Sequence, residues 1–266
     1  MAQFFETGNP ERDTELILGI NVVRAALEAR PADCLELYVS EARRPSSELR
    51  GLVTMAKGLG LEPISPDRDF FERLGSRNQG LALLARAKTE PSLHGLLDLC
   101  PSPEPGLVLV LDHLEDPHNF GSLIRSAAAF GALGAVYPKD RSVSLTPAAR
   151  AASAGASEVL PLVKVVNLAR ALGVIKQRGF WVVAAEAGQG HDAHGFDFPE
   201  RTALIVGSEG SGLSHGLAAQ ADMMVHIPIV STAINSLNVS NAGAILMRDY
   251  RISLARLART KNKASK

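Results

Sequence analysis

Short apolar runs alternate with amphipathic stretches through the second half of this chain, and this alternation limits its fold more than any other feature. Leu107–Leu111, LVLVL, contains no polar residue, as is typical of strands buried on both faces of a parallel sheet. Further strands are predicted at Ala135–Tyr137, Val159–Val163, Phe180–Ala184, Ala203–Val206 and Met223–Ile227. Helices are predicted between or after them at Asn119–Phe130, Asn167–Gln177 and Val239–Leu257. This order indicates an α/β fold with a doubly wound parallel sheet.

The first part of the chain has a smaller α/β pattern. Its helices are predicted at Ile20–Ala29 and Ser47–Leu59, and its strands at Cys34–Val39 and Gly80–Ala85. Four prolines then cluster between Thr89 and Gly106 and indicate a linker. We therefore predict a small domain over 1–88, a linker over 89–106, a larger domain over 107–258 and a basic tail over 259–266.

The composition excludes several classes of protein. With 46% hydrophobic and 21% charged residues, the chain is neither disordered nor fibrous. It has no apolar run of the roughly 18 residues that a membrane span needs and no secretory signal pattern. Cys34 and Cys100 are isolated, and His191 and His194 lack further ligands nearby, so neither a disulfide framework nor a metal site is predicted. These features predict a cytoplasmic protein.

The charge is balanced overall but unevenly distributed. The last 19 residues carry seven lysines and arginines against one aspartate, while the rest of the chain is slightly acidic. Two interpretations remain open, a solvated helix end or a surface that contacts the phosphates of a nucleic acid.

Segments that follow predicted strands carry unusual groups of polar residues, and ligands of open parallel sheets bind at such strand ends. The first, Asp112–Arg125 (DHLEDPHNFGSLIR), combines turn residues with Asn119 and, six positions later, Arg125. Gly121 permits a close approach of another backbone. A capped helix with a surface arginine would also account for this segment by itself.

Two further segments make a ligand site the better interpretation. Gly207–Gly212, GSEGSG, allows its backbone to lie against a ligand, and Glu209 within it offers a carboxylate. It matches neither the dinucleotide pattern nor the Walker loop. Ile227–Asn241 contains three asparagines and four hydroxyls within eleven residues, more than one helix cap requires, with Leu237 as an apolar wall.

The chain thus carries three motifs in order: N-x-G-x-x-x-R from Asn119, G-x-E-G-x-G from Gly207 and S-L-N-V-S from Ser236. Together they resemble the SpoU/TrmH class of RNA ribose 2′-O-methyltransferases, and the resemblance covers nearly the whole chain. The stretches PKDRS, SAGA and NLAR are similar to the RlmB-type branch, which methylates a guanosine in the peptidyl-transferase P loop of 23S rRNA. LGINVVRAALEAR and NQGLALLAR are similar to that branch's ribosomal-protein-like RNA-binding domain.

The resemblance implies a trefoil-knotted α/β methyltransferase domain that binds S-adenosylmethionine, acts as a homodimer and needs no metal. By position in the motifs, it implies a cofactor site formed by Gly207, Ile227 and Leu237. It likewise implies a catalytic group formed by Asn119, Arg125, Glu209, Ser236 and Asn238.

Some positions depart from the family's pattern. Asn21 and Asn78 stand where relatives have histidines, and Ser231–Ala233 replaces the usual glycine before S-L-N. These departures affect the choice of RNA more than the reaction, so three alternatives stay open: another rRNA ribose, as in antibiotic-resistance enzymes; a tRNA; or a non-catalytic rRNA-binding or assembly protein.

Trp181 is predicted to lie in the core.

Overall fold

The computed structural model describes residues 14–40, 46–75, 78–140, 142–208, 212–231, 233 and 236–264. These residues form two compact units. The first is built from residues up to Thr89 together with Ala154–Val159, and the second from Glu90–Ser153 and the chain from Leu160 onward. No helix within the described ranges combines the length and the hydrophobicity that a bilayer crossing requires.

Strands and helices alternate along both units. The strands are β1 (Thr14–Leu18), β2 (Cys34–Val39), β3 (Pro63–Ile64), β4 (Leu81–Arg86), β5 (Gly106–Leu111), β6 (Gly134–Pro138), β7 (Leu162–Val165), β8 (Trp181–Ala185), β9 (His191–Asp192), β10 (Arg201–Val206) and β11 (Met223–His226). The helices are α1 (Ile20–Ala29), α2 (Ser47–Gly58), α3 (Arg68–Arg73), α4 (Leu93–Asp98), α5 (Pro117–Ala129), α6 (Pro147–Ala152), α7 (Ala156–Val159), α8 (Leu168–Gln177), α9 (His215–Ala218) and α10 (Val239–Ala264).

The first unit has a four-stranded sheet in the order β1-β4-β2-β3. Strand β4 is antiparallel to both of its neighbours, and β2 and β3 are parallel. Alternate residues of β4 point to opposite faces, so Leu81 and Leu83 pack in the core with α1 and α2. Ala82 and Leu84 pack on the other face with Phe71 of α3. The predicted bounds of α1 and β2 are confirmed to the residue.

The second unit has a parallel sheet in the order β7-β6-β5-β10-β8-β11-β9. All six residues of β5 and all six of β10 are buried at its centre. From β5 the chain adds β6 and β7 on one side, and the later strands lie on the other side. The direction of winding therefore reverses between β5 and β10, which confirms the doubly wound sheet and marks the strand ends where ligands bind.

Two predictions in the second unit are corrected. Trp181 is not in the core: it is 50% exposed. Because side chains alternate along β8, Phe180 and Val182 enter the core beneath α8, and Trp181 points to the opposite face at the start of the strand. The final helix does not end near Leu257 but continues to Ala264, and Lys261 in its extension pairs with Glu200 at 2.6 Å.

Candidate active site

The helices that carry two of the motifs pack directly against each other. Helix α5 follows β5 and is capped by Asp116, whose carboxylate accepts a hydrogen bond from the backbone nitrogen of His118 at 2.9 Å. In α10, Gly243 lies against Leu123 of α5, where a side chain would overlap the leucine. A glycine at this position therefore lets the two helices approach closely enough for their amino-terminal ends to meet.

A hydrogen bond joins the first and third motifs. Asn238 Nδ2 donates to Asn119 Oδ1 over 3.0 Å, although the residues are 119 positions apart. Asn238 Oδ1 in turn accepts from the backbone nitrogen of Ser240 at 2.9 Å and from its hydroxyl at 2.6 Å. Asn119 is 8% exposed, so its amide is held largely out of solvent. These contacts fix the orientation of both amides.

Arg125 lies further along α5 and is exposed. Among the described residues, none accepts a hydrogen bond from its guanidinium, so that group is available to a ligand. The helix itself is held rigidly behind it. A Cβ on Gly121 would overlap the carbonyl of Ala149 and lie 2.6 Å from the Cβ of Ala152, so α5 packs directly on α6.

The described residues on either side of Glu209 in the second motif meet at the end of β10. Ser208 and Gly212 form a two-residue antiparallel bridge, with hydrogen bonds of 3.2 and 3.1 Å between their backbones. A Cβ on Gly207 would overlap the carbonyl of Gly212 and lie 2.7 Å from the nitrogen of Leu213. Only glycine fits at position 207. Glu209 lies outside the described residues.

A cavity of about 580 Å³ opens beside this loop. Five of the residues singled out in the sequence line it: Gly207, Ile227, Ser236, Leu237 and Asn238. Asn119 and Arg125 do not line it, and Asn119 is connected to it through Asn238. The described parts of the second and third motifs therefore line the cavity, at the carboxyl ends of the central strands, and the first motif is joined to it through the hydrogen bond between Asn119 and Asn238.

Two polar residues of the cavity were not singled out in the sequence. Glu186 directly follows β8 and His226 ends β11, and both line the cavity. The Nδ1 atom of His226 is buried and has no hydrogen-bond partner in the described part of the chain. The strand-end rule that identified the other segments would also have found Glu186, since it comes two positions after the predicted strand Phe180–Ala184.

A buried carboxylate holds the loop in place. Asp112, at the end of β5, is 1% exposed and accepts a hydrogen bond from the backbone nitrogen of Ser214 at 2.7 Å. It also bonds Nδ1 of His113, a residue with a φ of 50°. Asp112 therefore joins the end of β5, which precedes the first motif, to Ser214, which follows the second motif.

No cluster of metal-binding side chains occurs within the described ranges. His191 instead stacks on Phe196, with their ring centroids 5.2 Å apart.

Comparisons with known proteins give a consistent result. Residues 106–248 match the SpoU rRNA methylase family, and residues 16–91 match a domain described as RNA 2′-O ribose methyltransferase substrate binding. The 23S rRNA (guanosine-2′-O-)-methyltransferase RlmB of Coxiella burnetii is 35% identical over 233 residues, which cover 87% of this chain and 92% of that protein.

Solved structures show the same fold over nearly the whole chain. An RNA 2′-O ribose methyltransferase is 26% identical with a TM-score of 0.75, covering 96% of this chain and 94% of that one. The SpoU methyltransferase AviRb from Streptomyces viridochromogenes, in complex with AdoMet, is 24% identical with a TM-score of 0.74, covering 95% and 94%.

Proposed function

This chain belongs to the SpoU rRNA methylase family, and on that premise we propose that it transfers a methyl group from S-adenosylmethionine to a ribose 2′-hydroxyl of RNA. The proposed substrate is a guanosine in the peptidyl-transferase P loop of 23S rRNA. One observation carries the proposal: the hydrogen bond between Asn119 and Asn238 joins two motifs at a cavity lined by Gly207, Ile227 and Leu237.

The cavity fits the cofactor in size and in the chemistry of its walls. Its volume of about 580 Å³ lies within the range typical of small-molecule sites. Ile227 and Leu237 offer apolar surface for a base, while Gly207 lines the cavity with backbone alone, since a Cβ there would collide with the carbonyl of Gly212. The orphaned nitrogen of His226 also indicates a ligand with polar groups. When bound, S-adenosylmethionine supplies a methyl group that is already activated on a sulfonium.

The chain then has to position the attacking ribose hydroxyl and stabilise charge that develops on it. Arg125 is exposed on the side of α5 and is assigned this role. A guanidinium stays protonated at ordinary pH, so it acts through charge and orientation, and an RNA phosphate or solvent accepts the proton. Asn119, Ser236 and Asn238 orient the reacting groups, and Glu209 is assigned to the same group by its place in the motif.

The 23S rRNA target is supported by three features. The first unit contains the substrate-binding match, and the curated relative is named for a 23S rRNA guanosine. Arg251 and Arg259, both exposed on α10, add positive charge suited to phosphates. Such a protein would work in the cytoplasm, where rRNA is assembled.

A homodimer and a trefoil knot belong to the same proposal. The guanidinium of Arg125 has no partner among the described residues, which suits a site completed by a second subunit. The segment that begins at Ile227 after β11 runs back to line the cavity beside Gly207, which suits the expected knot. Light scattering coupled to size exclusion measures the subunit number directly, and a monomer at micromolar concentration would contradict the dimer.

The test supplies labelled S-adenosylmethionine and 23S rRNA from cells that lack the P-loop guanosine methylation, then maps ribose methylation by resistance to alkaline cleavage. Methylation at that guanosine is expected. The control is Asn238→Ala, which removes the amide held by Asn119 and should leave the RNA unmethylated.

Other results point to the alternatives. Methylation at another rRNA ribose, or of tRNA, would keep the reaction and replace the target. Cofactor binding without methylation of naked 23S rRNA, assembly intermediates or tRNA would favour a non-catalytic RNA-binding protein.

A further inference from the structure

Glu186 is a half-buried carboxylate in the wall of the cavity. Its backbone is fixed at the end of β8, because its nitrogen donates to the carbonyl of Val225 at 3.0 Å. Its carboxylate lies against the glycine loop: a Cβ on Gly212 would be 3.1 Å from Glu186 Oε1. Among the described residues, nothing donates a hydrogen bond to this carboxylate. A partly desolvated carboxylate without donors is unfavourable unless a ligand supplies them.

The strand order places Glu186 away from the reacting end of the site. Asn119 follows β5, whereas Glu186 follows β8, and β10 lies between these strands. Neighbouring strands are about 4.8 Å apart, so the two strand ends are separated by about 10 Å. S-adenosylmethionine carries its methyl group on a central sulfonium, between its adenosine and its amino-acid chain. The methyl group has to meet the RNA beside Asn119 and Asn238, and Ile227, which follows β11, offers apolar surface that suits adenine better than a charged amino-acid chain. The adenosine therefore extends toward β8 and β11.

We propose that Glu186 binds the ribose diol of the cofactor's adenosine. A vicinal diol offers two O–H donors, and a carboxylate offers two acceptor oxygens, so one side chain can accept both hydrogen bonds. His226 ends the neighbouring strand β11, and its buried Nδ1, which has no hydrogen-bond partner among the described residues, lies in the wall of the same cavity. This inference rests on the proposed function for the identity of the cofactor.

The test measures binding by calorimetry for the wild type, Glu186→Gln and Glu186→Ala. The ligands are S-adenosylmethionine, S-adenosylhomocysteine and the 2′-deoxy form of S-adenosylhomocysteine. The control is Glu104→Gln, which removes the same charge from an exposed site in the same unit. Both Glu186 variants should bind the first two ligands about tenfold or more weakly and by equal factors, since the ligands share the ribose. The control should bind them as the wild type does.

The deoxy ligand isolates the hydroxyl contact. Loss of the 2′-hydroxyl should weaken binding to the wild type and have little further effect on Glu186→Ala, because the contact is already missing. Additive losses would overturn the proposal, as would unchanged binding by both variants. A larger loss for S-adenosylmethionine than for S-adenosylhomocysteine would also overturn it, and would place the carboxylate beside the positively charged sulfonium instead.

Failure of this inference differs from failure of the proposed function. If Glu186→Ala binds both cofactor forms normally and methylates 23S rRNA, only the role of Glu186 is wrong. If the wild type binds neither S-adenosylmethionine nor S-adenosylhomocysteine, the proposed function fails first.

Discussion

Arg125 presents an exposed guanidinium on a helix whose position is fixed by the contact of Gly121 with α6. A lysine keeps the charge but loses the planar fork of donors that orients a ribose oxygen. We expect Arg125→Lys to lose at least 100-fold in kcat while its Kd for S-adenosylmethionine stays unchanged. Single-turnover methylation and calorimetry measure the two quantities. Arg170→Lys, an exposed arginine on α8, is the matched control, and turnover of Arg125→Lys near that of the control would exclude the role.

Position 207 requires glycine because a side chain would not fit there, and not because its backbone adopts a conformation that favours glycine. Alanine there would collide with the carbonyl of Gly212, so the loop would have to open. Gly207→Ala should bind S-adenosylmethionine at least tenfold more weakly. In contrast, a Cβ on Gly173 of α8 meets nothing within 4 Å, and Gly173→Ala should raise the free energy of unfolding by about 0.5–1 kcal/mol. Equal cofactor binding by the two variants would show that the loop tolerates a side chain.

The residues that depart from the family pattern show what sequence reasoning can miss at this scale. Asn78 is buried, donates to the carbonyls of Phe71 and Gly75, and accepts from the nitrogen of Gly80 at 2.7 Å. Its amide therefore organises the turn before β4 and is fully engaged within the protein. Asn21, in contrast, is exposed on α1. The sequence alone does not show that Asn78 is buried and Asn21 exposed, because this difference depends on contacts that no local pattern encodes.

Among the elements, those with a regular apolar period were predictable and those that depend on distant partners were not. Helix α1 and strand β2 match their predicted bounds because one face of each is apolar at the period of its own structure. The predicted strand Val159–Val163 is wrong at its start, since Val159 ends the short helix α7. That helix belongs to the first unit, although β5 and β6 of the second unit precede it along the chain.

A buried ion pair holds α7 in the first unit. The Arg30 guanidinium donates to Glu158 at 2.8 Å and to Glu15 at 2.6 Å, and the Glu158 side chain has no exposed surface. Burial lowers the pKa of Arg30, but Glu158 and Glu15 outweigh it and raise the pKa overall. Glu158→Ala should lower the free energy of unfolding by about 3 kcal/mol, because it leaves the buried guanidinium short of a partner.

Chemical denaturation measures that change in stability. The control is Glu48→Ala, which removes the exposed partner of Arg24 at 2.9 Å and should lower stability by less than about 1 kcal/mol. Equal losses of unfolding free energy for the two variants would show that removing a partner of the buried pair costs no more than removing a partner of an exposed one.

For the whole molecule, alkaline stability depends on the tyrosines. The chain has only three, Tyr38, Tyr137 and Tyr250, and burial raises the pKa of each. Since an unfolded phenol ionises near pH 10, the unfolded state releases protons above that pH while the folded state keeps them. Stability should therefore be insensitive to these groups below about pH 10 and fall as the pH rises further.

Absorbance at 295 nm and circular dichroism, followed together against pH, measure this coupling. Phenolate absorbance should appear only as the dichroism of the folded state is lost, with N-acetyltyrosinamide as the control that ionises near pH 10. Phenolate formation at pH 10 in a protein with native dichroism would contradict the prediction.

Affinity for RNA is also a property of the whole molecule, and the end of α10 should contribute to it through charge. Arg256 is already engaged with Asp197 at 3.0 Å and Lys261 with Glu200, whereas Arg259 is exposed. Truncation after Leu257 should make the dependence of log affinity on log salt shallower by about 0.7–0.9 for each lost phosphate contact, with cofactor binding unchanged. Filter binding at several salt concentrations measures the slope, and an unchanged slope would mean that the helix end is only solvated.

The partnership between Arg30 and Glu158 spans 128 positions of the chain, and this has a consequence for biosynthesis. A ribosome adds about 5–20 residues per second, so the arginine is made on the order of ten seconds before the glutamate that neutralises it. During that interval the nascent first unit holds a cation without its final counter-charge. This protein therefore completes its first unit only after β5 and β6 of the second unit have been translated, and a pause in that window would prolong the time for which Arg30 lacks Glu158.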